Sequence, residues 1–116
     1  MKQTKKLKIV MPTLREKERY IAFEIISEEP IYYLDFESAV WQTLINFHGE
    51  LGASKTSFWI VKNLFDERNQ VGVIRCNNLS VPQIITTLGM ISRIGDNRVT
   101  IKIHKVSGTI KGLGQR

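Results

Sequence analysis

The feature that most restricts how this chain can fold is a change of hydrophobic period that occurs twice. Over residues 19–27, Ile21, Phe23 and Ile25 fall on one side of an extended chain, and Tyr20, Ala22, Glu24 and Ile26 fall on the other. A period of two marks a strand with one face toward a core. Glu28-Glu29-Pro30 ends it, since proline brings no N–H to a ladder. From Asp35 the period lengthens. Phe36, Ala39, Val40, Thr43, Leu44, Phe47 and Leu51 recur at three- and four-residue steps, which is one face of a helix. Asp35 is expected to cap its start and Gly52 its end. Trp41 and His48 lie off the stripe, and Trp41 is expected at the helix edge of the core.

The period of two then returns. Residues 56–63 read as a second strand, with Phe58 and Ile60 alternating with Trp59 and Val61. A turn at Asp66-Glu67-Arg68-Asn69 leads into Val71-Gly72-Val73-Ile74-Arg75-Cys76-Asn77, a short β-branched third strand. Ser80-Val81-Pro82-Gln83 has the form of a capping box. It opens a helix with Ile84, Ile85, Leu88 and Ile91 on one face and Gly95 as its stop. A fourth strand spans 98–106, with Val99, Ile101 and Ile103 inward and Arg98, Thr100, Lys102 and His104 outward. Residues 1–18 read as a basic arm, 19–106 as a single domain, and 107–116 as a loose basic tail with three glycines.

The order β-α-β-β-α-β with right-handed crossovers predicts an α+β, ferredoxin-like or RRM-like sandwich. Its antiparallel four-stranded sheet has the order 4-1-3-2, with two helices on one face. The other face would show Arg98 and Lys102 beside Tyr20, Ala22 and Ile26. Either Val71, Val73 and Arg75 or Gly72, Ile74 and Cys76 would join them, with either Trp59 and Val61 or Phe58 and Ile60. That is too apolar to stay bare, so a protein partner, a second copy or an end of this chain is expected to cover part of it.

The net charge of +6 is uneven: residues 1–19 carry +5, residues 20–97 carry −4, and residues 98–116 carry +5 with no acid at all. Two basic ends point to a polyanion, most simply nucleic acid. No apolar run approaches the roughly 18 residues of a membrane span, and Ile9-Val10-Met11 is too short for a signal-peptide core. The single cysteine, Cys76, allows neither an intrachain disulfide nor a cysteine zinc site. It suits a reducing cytoplasm, where the protein is expected.

No catalytic constellation is legible. Nucleophile-elbow, HExxH and Walker motifs are absent, and the acids are scattered. Cys76 reads as a buried core thiol. The chain therefore reads as a binding module. RRM domains stack bases on strand-three aromatics, and residues 71–77 contain none, so RNA contact is expected through phosphates and shape. Arg75 lies among Val, Ile and Cys. It must reach water, an internal acid such as Glu24, or an external anion, because a lone buried guanidinium costs several kcal/mol. An ACT-type small-molecule sensor shares this βαββαβ order of elements. It holds its ligand at a glycine-containing turn after strand one, and Ser27-Glu28-Glu29-Pro30-Ile31-Tyr32 has no glycine.

Three separated segments carry a family likeness. Met11-Pro12-Thr13-Leu14-Arg15-Glu16-Lys17-Glu18-Arg19-Tyr20-Ile21, Gly72-Val73-Ile74-Arg75-Cys76 and Val106-Ser107-Gly108-Thr109-Ile110-Lys111 occur in that order. They resemble the signatures of archaeal ribonuclease P protein component 2, the homologues of the eukaryotic Pop-five subunit. The resemblance runs from about residue 7 to 111. It implies an RRM-like subunit of a ribozyme that is not catalytic on its own. The RNA removes the 5′ leader of precursor tRNA by Mg²⁺-assisted hydrolysis, and the protein binds the catalytic half of that RNA, itself holding no cofactor. It also implies pairing with a barrel-fold protein subunit, two such pairs joining through the small subunit. RNA contacts are then expected from Lys5, Lys6, Lys8, Arg15, Lys17, Arg19, Arg75, Arg98, Lys102, Lys105 and Lys111. Protein contacts are expected from Tyr20, Trp59, Val71 and Val73. One departure from the family pattern is the brief tail after Ile110, which ends at Arg116, so a contact made by an additional C-terminal helix in other members is not carried over to this chain. Another ribonucleoprotein subunit would share the charge pattern and differ in its partners.

Overall fold

The alternating segments become strands of one curled antiparallel sheet, described in a computed structural model for residues 17–54 and 58–114. In chain order the elements are β1 (Glu18–Ser27), α1 (Tyr33–Ser54), β2 (Phe58–Ile60), β3 (Val71–Asn77), α2 (Val81–Met90), β4 (Arg93–Ile94) and β5 (Asn97–Ser107). The sheet order is β2-β3-β1-β5-β4. The predicted core of four strands is present with β1 and β3 inside, β5 standing where the fourth strand was expected. A fifth strand, β4, is added at the edge.

The core forms where the two periods meet. Ile21, Phe23 and Ile25 of β1, Ile74 of β3, Phe58 and Ile60 of β2, and Val99 and Ile101 of β5 are all buried on one side of the sheet. Phe36, Val40 and Leu44 of α1 and Ile84 and Leu88 of α2 complete the same cluster. Phe23 and Phe36 stack at 4.8 Å between centroids, and Trp41 lies 4.7 Å from Phe58 at the helix edge. Of the predicted α1 stripe, Phe47 is an exception and is more than half exposed.

Several boundaries differ from the sequence reading, each for a local reason. α1 begins two residues before Asp35, which therefore sits in the first turn instead of capping it. Its break comes at Gly49 (φ 74°, ψ 166°) and not at Gly52; positive φ is open to glycine at little cost. Of the expected strand 56–63, residues 56–57 lie outside the described residues, β2 covers Phe58–Ile60, and a 3₁₀ turn at Lys62–Leu64 bends the chain away after it. Ser80 makes no side-chain cap for α2. The Asn77 side chain instead accepts from the Ser80 N–H at 2.8 Å and caps the preceding 3₁₀ turn. α2 ends at Met90, and Gly95 (φ 62°) sits in the β4–β5 hairpin rather than at a helix stop. The tail is not loose through Gly114: Lys111–Leu113 form a 3₁₀ turn and Leu113 is buried.

One side chain ties the hairpin loop to the helix entry. Gln70, at positive φ (57°), accepts from the Ile31 N–H at 2.8 Å and donates to the Ile31 carbonyl at 3.0 Å. It also donates to the Glu67 carbonyl at 2.8 Å. Beside it, hydrogen bonds from the Asn69 backbone and side chain hold the Asp66 carboxyl below its ordinary pKa.

Candidate nucleic-acid interface

With the helices on one side, the register fixes what the other side of the sheet presents. The first row runs Trp59, Arg75, Tyr20 and Ser107 across β2, β3, β1 and β5. The next brings Val73, Ala22 and Lys105 together, followed by Val71, Glu24 and Lys102, and then Ile26 with Thr100. The alternatives left open for β2 and β3 thus resolve to Trp59 and Val61, and to Val71, Val73 and Arg75.

Lys105 reaches this face through a bulge. Ala22 pairs with Lys105 but Phe23 pairs with Ile103, so His104 is an extra residue in β5. Strict alternation from Ile101 and Ile103 would aim Lys105 at the helices. One inserted residue moves Lys105 and Ser107 to the open side. The bulged His104 lies with its Nε2 2.8 Å from Glu24 Oε1.

Arg75 does not pair with Glu24. Glu24 sits four residues further along β1 than Tyr20, the residue opposite Arg75, or about 13 Å at strand rise, and it is engaged by His104. The Arg75 guanidinium carbon lies instead 3.7 Å from the Trp59 ring centroid. Its Nη1 is 3.9 Å from Glu18 Oε2, and the Tyr20 hydroxyl is 3.4 Å from the other Glu18 oxygen. Nε of Arg75 is buried with no hydrogen-bond partner among the described residues.

The middle of the open face is covered by the chain itself. Leu113 lines a cavity with Ala22, Val71, Val73, Leu64 and His104. Val73 is only 3% exposed and lines that same cavity, so it offers little surface for the partner contact expected of it. The cover leaves two exposed stretches. One holds Trp59, 49% exposed, with Arg75 and half-buried Tyr20. The other holds Ile26, Thr100, Arg98 and Lys102.

Of the remaining expected RNA contacts, Lys17 anchors β1 beside β3. The Asn78 N–H donates to its carbonyl at 2.6 Å, and its own N–H donates to Asn78 Oδ1 at 3.2 Å. Arg19 falls on the helix side of the register, opposite Cys76, and donates to the Glu18 carbonyl at 2.8 Å. Lys102, Lys105, Arg98 and Lys111 are exposed. Lys5, Lys6, Lys8 and Arg15 lie outside the described residues. Sequence reading missed Arg93, which the β4–β5 hairpin sets directly opposite Arg98. Gly95-Asp96, a two-residue hairpin loop of favoured composition, was the available signal.

Burial pushes the Cys76 thiol up to about 11, which makes it a poor nucleophile at neutral pH. Among the described residues no three His, Cys, Asp or Glu side chains gather to hold a metal ion, and no helix is long and apolar enough to cross a membrane.

A two-helix, five-stranded antiparallel domain with basic and aromatic side chains on its open sheet face defines a small macromolecule-binding module. The model of the Rpp14/Pop5 family matches residues 19–116, and the chain belongs to that family. It is 42% identical over 109 residues to ribonuclease P protein component 2 of Pyrococcus furiosus, covering 94% of this chain and 89% of that protein. Identity to the protein of the same name from Thermococcus kodakarensis is 37% over 96% of this chain and 91% of the relative. For Methanococcus maripaludis it is 33% over 95% and 82%. The likeness carried by the three sequence motifs is thus borne out. In fold, the chain also matches a chain of the cryo-EM structure of yeast ribonuclease MRP, with TM-score 0.64 and 15% identity over 82% of this chain and 76% of that one.

Proposed function

We propose that this protein is a subunit of ribonuclease P that binds the catalytic domain of the RNA subunit and assists removal of the 5′ leader from precursor tRNA. The observation that carries this reading is the 42% identity to a ribonuclease P protein component along nearly the whole of both chains. The charge agrees: both ends are basic and residues 98–116 carry no acid, as phosphate neutralisation requires. The sheet is an RRM-like layout with one extra edge hairpin, and it binds RNA by phosphate contact without strand-three stacking. Hydrolysis and its Mg²⁺ belong to the RNA. The Trp59–Arg75–Tyr20 end faces the barrel-fold protein subunit, and two such pairs join through this chain. The assembly works in the cytoplasm of an archaeal cell.

Filter binding to two fragments of the RNA tests the assignment. The catalytic-domain fragment should bind with a log K against log salt slope of about −3 to −6, as for roughly four to eight phosphates. The specificity-domain fragment should bind weakly. Equal binding of both fragments would count against the reading.

A further inference from the structure

Arg93 and Arg98 stand directly opposite each other where β4 pairs with β5. Their chain neighbours Ile94 and Val99 are buried toward the helices, so both arginines leave the open side of the sheet. Like charges at opposed positions destabilise a ladder, and this one has only two residue pairs. Among the described residues the ionic contacts are Arg75 with Glu18 and His104 with Glu24, and neither involves these arginines. Asp35 lines an adjoining groove with Arg93, and Asp96 lies in the hairpin turn, but neither carboxylate reaches ion-pair distance of either guanidinium. Arg93 Nη1 donates to the Asp96 carbonyl at 3.3 Å, which orients one guanidinium without neutralising it.

The two arginines line a cleft of about 450 Å³ together with Ile26, Ser92, Val99 and Thr100. Thr100 and Lys102 continue the same face along β5, within a segment that has no acid from residue 98 to the end. A pair of unneutralised guanidiniums at the head of a polar strand face matches phosphodiesters, which guanidinium forks bind bidentately. We propose that the Arg93–Arg98 pair across the β4–β5 hairpin is a phosphate-gripping site for the RNA backbone, extended along β5 by Thr100 and Lys102. It rests on the RNA-subunit reading and adds to it where on the sheet the RNA runs: over the β4–β5 edge, away from the Trp59 end.

The test uses the full chain with Arg93→Gln/Arg98→Gln and Arg93→Lys/Arg98→Lys. The probes are in vitro transcribed ribonuclease P RNA and a uridine 20-mer across a KCl series, with inorganic phosphate as competitor. The glutamine pair should bind the RNA about tenfold more weakly at the lowest salt and lose about 1.5 from the slope of log K against log salt. The lysine pair should keep the slope. The glutamine pair should melt no lower than the parent, because the repulsion is gone. Millimolar phosphate should leave RNA binding largely intact, since one ion does not replace a chain of phosphodiesters. Parental slope and affinity in the glutamine pair, beside steep salt dependence in the parent, would overturn this site and leave the RNA-subunit reading standing. Normal RNA binding with lost assembly onto the barrel-fold subunit would reassign the pair to a protein interface and overturn the site. A markedly lower melting temperature in the glutamine pair would make the arginines structural and overturn it as well. A flat salt response in the parent would refute the RNA-subunit reading itself.

Discussion

Arg75 on β3 lies 3.7 Å from the ring centroid of Trp59 on β2, directly across the ladder. The contact explains how an arginine is accommodated in an interior strand. The ring supplies an attractive face, and the side chain remains 30% exposed. Cation–π contacts at such sites contribute about 0.5–1 kcal/mol, and the half-exposed Glu18 adds little.

A double-mutant cycle between Arg75→Met and Trp59→Leu should therefore return a coupling of about 0.5–1 kcal/mol in chemical denaturation. A cycle between Arg75→Met and Glu24→Gln should return none, because Glu24 is held by His104. Coupling to Glu24 above 1 kcal/mol would contradict the arrangement.

Gly72 is required by space. A Cβ there would lie 2.7 Å from Phe23 Cζ and 3.0 Å from Phe65 Cδ1, inside the aromatic cluster that Phe23 forms with Phe36. Gly72→Ala should destabilise the fold by about 1–3 kcal/mol through overpacking. Circular dichroism melts read this directly, and unchanged stability would show that the ring stack yields freely.

Cys76 gives the fold an alkaline limit. Burial raises its thiol pKa from 9.0 to about 11, so between these values the unfolded chain releases a proton that the folded chain keeps. Stability is then fully present below pH 9 and falls as pH rises toward 11, at up to about 1.4 kcal/mol per pH unit. Cys76→Ala should flatten that fall relative to the parent, although it costs core packing at every pH. Identical slopes for both proteins would assign the alkaline loss to other groups.

The sequence made the frame legible where one face of an element is buried and the other wet. β1 and β5 followed from alternation, β3 followed from its β-branched run after a turn, and α2's face followed from Ile84 and Leu88. What escaped depends on contacts between elements. The bulge at His104 changes register by one residue, and no alternation pattern within one strand reveals it. The break at Gly49 instead of Gly52 separates two glycines of equal propensity, and only the surrounding chain chooses between them. Leu113, in a glycine-rich tail, finds its cavity only once Ala22 and Val73 stand side by side on neighbouring strands. For the same reason the candidate site was half visible. Arg98 and Lys102 were read from β5 alone, whereas Arg93 joins them only through the hairpin, and the partner of Arg75 proved to be an aromatic ring.

The central claim is that this chain assists an RNA-based nuclease without performing the chemistry. Reconstituted cleavage of precursor tRNA tests it most directly, comparing the protein alone, the RNA subunit alone, and the RNA with this chain and the barrel-fold subunit at low Mg²⁺. The account predicts no cleavage by the protein, slow cleavage by the RNA, and faster release of an intact 5′ leader when the proteins are added. Specific leader release by the protein alone, or no gain when this chain joins the other components, would contradict it.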